Sequence, residues 1–127
     1  MNRIVPVEKD DQTAIQNLRA ASEEQVLAAA DELLEWMEDG NWPVSLPIGE
    51  VLSKHIDKIT PNVVGILRSH DSLWKYWCIR FLLMQLELGQ IPPLILAELN
   101  RIVLRPTASD VNEGAAEAAG EILSGDY

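Results

Sequence analysis

Apolar residues in this chain recur at three- and four-residue steps, and prolines and capping residues interrupt the pattern every dozen positions or so. That spacing restricts the fold more than any other feature, because it builds one-sided helices and leaves no stretch of strand-like alternation. From Ser22 to Asp39 the apolar set is Val26, Ala30, Leu33, Leu34 and Met37, with acidic residues between them. Ser22 with Gln25 three positions on has the form of a capping box, and Gly40-Asn41 supplies a stop. A shorter helical stretch holding Ile15 and Leu18 precedes it, behind an extended N-terminal arm.

The remaining helices are read from their punctuation. Pro43 suits a first helical position and opens a helix with Val44, Ile48, Val51, Leu52 and Ile56 on its apolar side. Thr60-Pro61 repeats that start for a brief helix with Val63, Val64, Ile66 and Leu67, ending around Ser69-His70. Asp71 caps a long helix from Leu73 to Leu88, apolar nearly all round and therefore expected to be the most buried, and Gly89 closes it. Pro92-Pro93 begins a helix that Pro106 ends, and Thr107 with Asp110 caps a last one through Leu123. Paired through short connections, these helices form three antiparallel hairpins, Ser22 to Asp57, Thr60 to Leu88 and Pro92 to Ser124. Their start-to-start spacings fall within the range of about 30–47 residues of helical-hairpin repeats. The expected fold is all-α: a short HEAT-like stack of about three hairpins, with a compact non-repeating bundle as the alternative. One domain is expected, residues 1–21 forming an arm and short helix and residues 22–127 the helical-repeat body.

Two clusters, Leu34-Glu35-Trp36-Met37-Glu38-Asp39-Gly40-Asn41-Trp42-Pro43-Val44 and Ser69-His70-Asp71-Ser72-Leu73-Trp74-Lys75-Tyr76-Trp77, carry a resemblance. Together they resemble a bacterial family of small all-helical proteins of uncharacterised function, marked by an Asn-Trp-Pro-Val turn and a Trp-Lys-Tyr-Trp helix. The resemblance runs from about Glu23 to Ser124 and leaves the residues up to Arg19 outside. It implies a HEAT-like fold and brings no catalytic residue, cofactor or substrate. Small families of this kind often resemble immunity proteins, which bind and neutralise a toxin domain.

Charge is the feature that bears most on function. The formal net charge is −10, with a pI near 4.5. Seven acidic residues and no basic ones lie between Glu23 and Asp39, and five more, again unopposed in sequence, between Thr107 and Tyr127. The rest of the chain holds 8 acidic and 10 basic residues, so two segments account for the whole imbalance. Such a field repels nucleic acid and anionic membranes and favours a cationic protein partner. Four tryptophans add to it: Trp74 and Trp77 are expected on the apolar side of their helix, whereas Trp36 and Trp42 flank the acidic turn, where indoles make effective interface anchors. The candidate partner-binding residues are therefore Glu32, Glu35, Trp36, Glu38, Asp39 and Trp42.

Catalytic and metal chemistry find little support. His55 and His70 stand alone, the single cysteine Cys78 excludes an internal disulfide and sits in an apolar helix, and no phosphate loop, nucleophile elbow or His-Glu-x-x-His pair occurs. Carboxylates at four-residue spacing, Asp31 with Glu35 and Glu35 with Asp39, lie on a face with nothing to desolvate them. No signal-peptide pattern and no membrane-length apolar run is present, so a cytoplasmic location is expected. The function expected is that of a non-enzymatic protein-binding module without cofactor or metal, of the immunity type, directed at a basic toxin or effector. An adaptor subunit of a larger assembly and a small enzyme with an acidic cleft are the alternatives.

Overall fold

The computed structural model describes residues 2–127, and every regular element among them is helical. Asp11 caps α1 (Gln12–Arg19): its carboxylate accepts from the Ala14 and Val7 N–H groups at 3.1 and 3.0 Å and pairs with Arg3. Those contacts fold the arm back onto its own helix, and the Val44 N–H donates to the Lys9 carbonyl at 3.1 Å. Ile15 and Leu18 are wholly inside the core, so the N-terminal stretch is part of the packed unit.

The capping box of Ser22 and Gln25 is present, with each group serving the other's backbone. The single helix expected from there to Asp39 is instead α2 (Glu23–Ala28) and α3 (Ala30–Glu35), divided at Ala29 and followed by turns. The apolar register survives the break, since Val26, Ala30, Leu33, Leu34 and Met37 are all buried. Gly40 does not act as a left-handed stop, because positive φ is confined to Gly114 and Gly125 among the described residues. Its role is close approach: a Cβ there would overlap the indole of Trp77.

Two further boundaries depart from expectation. The chain turns at Lys54-His55 between α4 (Ser45–Ser53) and α5 (Ile56–Leu67), so Pro61 lies inside a helix rather than at its start. The hydrogen bond that proline removes involves the carbonyl of exposed Asp57, where the loss stays open to solvent, while buried Thr60 satisfies itself by donating to the Ile56 carbonyl at 2.8 Å. The long helix expected to reach Leu88 ends early: α6 spans Ser72–Phe81, Leu82 forms a turn, and single 3-10 turns follow at Leu83–Gln85 and Leu88–Gln90. α6 is not the most buried helix either. Six of nine residues of α4 are buried against four of ten in α6, because α4 is flanked by α1, α3, α5 and α6. Gly49 lets α4 approach so near that a Cβ would meet the Phe81 carbonyl.

The last segment comprises α7 (Pro93–Leu104), α8 (Ala108–Asn112) and α9 (Ala115–Ser124). Gly114, at φ 88°, splits what reads as one alanine-rich helix into the last two. Contacts join α3 to α5 and α5 to α7 along one side, α4 to α6 and α6 to α9 along the other, and α3 to α4, α5 to α6 and α7 to α9 between them.

A buried ion pair locks α6 to α8. Lys75, 3% exposed, donates to Asp110 Oδ1 at 3.0 Å, and the Ser72 hydroxyl donates to the same oxygen at 2.7 Å. The other oxygen caps α8 by accepting from the Thr107 N–H at 3.1 Å. Burial pushes the Asp110 pKa up, but the bonds from Ser72, Lys75 and Thr107 outweigh it and leave the carboxyl below its ordinary value of 3.8. Because the folded value is depressed, this stabilisation is complete above that pH and is lost as pH falls through the lowered value. We expect Asp110→Asn to cost roughly 3–5 kcal/mol in denaturant unfolding at pH 7, leaving Lys75 buried and unpaired, and the gap from the native chain to close in acid. Gly40→Ala, which forces Trp77 from its seat, is expected to cost about 1–3 kcal/mol by the same measurement.

Candidate protein-binding surface

α3 and the turn after it present the acidic residues. Glu32 and Glu35 are exposed on α3, whereas Trp36, Glu38, Asp39 and Trp42 are half-buried in the turn leading to α4. The two indoles meet edge to face, with ring centroids 5.5 Å apart and planes at 64°, and both rest on the core. Asp39 shapes the turn: its side chain accepts from the Asn41 N–H at 2.8 Å and its carbonyl from the Trp42 N–H at 3.2 Å. Part of the candidate set therefore builds the surface, and Glu32, Glu35 and Glu38 supply its charge.

Asp71 and Trp74, from the start of α6, belong to the same surface. Asp71 accepts from the Trp74 N–H at 3.0 Å as the cap of α6, and the Trp74 indole N–H donates to the Leu34 carbonyl at 2.9 Å, bridging α6 to α3. Burial, together with the charges of Asp71 and Glu35, raises the Glu38 pKa above its usual 4.5. Their adjacency could not be read from sequence, since Asp71 lies 32 positions from Asp39 and its helix-cap role accounts for it locally. Beside them, a groove of about 520 Å³ opens between α3 and α5, bordered by Asp31, Glu35, Pro61, Asn62 and Trp74.

Ion pairs redistribute the charge map. Arg3, Lys58, Arg68, Lys75, Arg80 and Arg101 are all engaged, with Asp11, Glu23, Glu98, Asp110 and Glu121. The expectation of an unopposed acidic C-terminal segment is thus corrected: Asp110 is internal, and Glu121 meets Arg80 at 3.2 Å. At the other end Glu23 is held by Lys58 at 3.0 Å. Among the described residues, no ion pair involves Asp31, Glu32, Glu35, Glu38, Asp39 or Asp71.

The other reactive side chains are placed as follows. His55 lies half-buried 3.7 Å from Glu23, and His70 is exposed in the turn before α6. Cys78 is fully buried, and burial pushes its thiol up to about 12, which leaves no thiolate near neutral pH. No three His, Cys, Asp or Glu side chains converge on a metal-sized site among the described residues. No helix among them is long and apolar enough to cross a membrane.

An all-helical scaffold bearing an acidic face seamed with indoles is the class that these observations define. The family described as Domain of unknown function (DUF5071) matches residues 4–123, and the chain belongs to it. That match reaches almost to the N-terminus, so the stretch up to Arg19, expected to fall outside the family, lies within it. No curated protein matches the sequence.

Glu38 provides a direct measure of crowding on this surface. Its raised folded value means that ionisation is disfavoured in the native state, a penalty present at neutral pH and absent once the carboxyl is protonated. Glu38→Gln is expected to raise stability by about 0.2–0.5 kcal/mol at pH 7, the size of one like-charge contact, with the gain vanishing near pH 4 in thermal unfolding.

Proposed function

We propose that this chain is a non-enzymatic protein-binding module that docks a basic partner on the face formed by α3, the turn after it and the start of α6. The observation that carries this reading is the gathering of Glu32, Glu35, Glu38 and Asp71 beside the Trp36 and Trp42 pair, without a lysine or arginine in ion-pair reach among the described residues. Like charges held together cost stability, and a partner's cations would relieve that cost on binding. Half-buried indoles beside the charges would supply apolar contact area at low entropic cost.

The arrangement favours a HEAT-like stack, with α3, α5 and α7 as one layer and α4, α6 and α9 as the other. In the specific form we favour, the module is of the immunity type: it covers a cationic toxin or effector domain and blocks it without turning anything over, in the cytoplasm where such a protein would act.

The test is a calorimetric titration with the partner recovered from the native host on the tagged chain. The variant Glu32→Lys/Glu35→Lys/Glu38→Lys should bind at least tenfold more weakly and with a flatter dependence on salt. Unchanged affinity removes the acidic face from the contact, and a partner with no inhibitable activity removes the immunity role.

A further inference from the structure

The groove between α3 and α5 differs from the surrounding acidic face in what it can offer a ligand. Asp31 and Glu35 lie four residues apart on α3 and border one side of it. The Asn62 side-chain amide donates to Asp31 at 2.7 Å, which fixes that carboxylate and leaves the Asn62 carbonyl oxygen as a further acceptor. The one N–H of the Trp74 indole is already given to the Leu34 carbonyl. The groove therefore presents acceptors and a ring surface, and no lysine, arginine or histidine lines it.

Its other side comes from α5 and is unusually bare. Pro61 and Gly65, both poor helix formers, sit four residues apart on the side of the helix that borders the groove. A Cβ placed on Gly65 would meet nothing within 4 Å, so the glycine is not required by close packing, and its effect is to keep the wall open. Pro61 and Ile66 give that wall an apolar lining suited to a methylene chain.

We propose that this groove receives an arginine side chain from the basic partner. The aliphatic stem lies along Pro61 and Ile66, the guanidinium donates to Asp31, Glu35 and the Asn62 carbonyl, and its flat face stacks on Trp74. Arginine fits better than lysine because a site made of several acceptors around an aromatic ring matches a planar, multi-donor cation. This inference rests on the proposed docking function and specifies the contact at its centre.

The probe is a nine-residue peptide with one central arginine among neutral residues, compared with the same peptide carrying lysine or citrulline, and binding is followed by the Trp74 indole and Asn62 side-chain N–H signals in NMR titrations. The arginine peptide should shift both signals saturably, and the citrulline peptide should bind at least tenfold more weakly, with lysine between them. Gly65→Leu, which fills the groove from an open position and improves helix propensity, should lower arginine-peptide affinity at least tenfold while keeping the thermal midpoint at or above the native one. Glu117→Gln, exposed on α9 and part of neither the groove nor the acidic face, should leave the affinity within twofold. If the peptide moves neither signal, or binds Gly65→Leu as it binds the native chain, the groove assignment is overturned. If in that case Glu32→Lys/Glu35→Lys/Glu38→Lys still abolishes binding of the peptide or of the whole partner, the acidic face stands without the groove. If that variant also binds both as the native chain does, the docking function falls as well.

Discussion

The carboxylate of Asp110 pins the first turn of α6 to α8, and much of the surface depends on that anchorage. One of its oxygens is shared by Ser72 and Lys75 in the first turn of α6, and the other closes the cap of α8. With that turn anchored from beneath, Asp71 and Trp74 are presented to α3 on the opposite side, where the indole N–H reaches the Leu34 carbonyl. A charge pair removed from water contributes modest net stability at best, but it tolerates few alternative geometries, and here the geometry it selects is the one that brings two distant parts of the chain together.

Local rules recovered the helical class, the caps and the inward faces. Ser22 with Gln25, Asp71, and Thr107 with Asp110 all cap as their side-chain chemistry dictates, because the interactions span three residues and need no knowledge of the rest of the fold. Breaks set by tertiary packing were less legible. Gly40 reads as a stop but serves as a seat for Trp77, Pro61 reads as a start but rides inside α5, and the Leu73 to Leu88 run reads as one helix but is divided where α4 crosses it at Gly49. At Gly40 and at the end of α6 the local preference was real and a neighbour far away in sequence set the geometry, whereas at Pro61 the helix carries on because the bond it loses falls on the carbonyl of exposed Asp57.

The candidate surface was legible to a similar degree. Glu32, Glu35 and Glu38 could be picked out by their density, and the nearness of Trp36 to Trp42 followed from the turn between them. Lys75 is sealed inside the protein, so its charge never reaches the surface, and Asp71, which reads as a helix cap, also lies close enough to Glu38 to act on its ionisation. Counting charges along the chain overstated the acidic character of the C-terminal segment and understated that of the α3 face. The arginines and lysines that balance the chain on paper are mostly committed to partners elsewhere.

Cys78 has a consequence for handling the molecule. Its sulfur is enclosed on all sides and holds its proton far into the alkaline range, so reagents that require a thiolate will pass it over in the native state. A cysteine introduced at an exposed position would be the sole reactive thiol, and dyes or spin labels could be attached there without first removing the natural one.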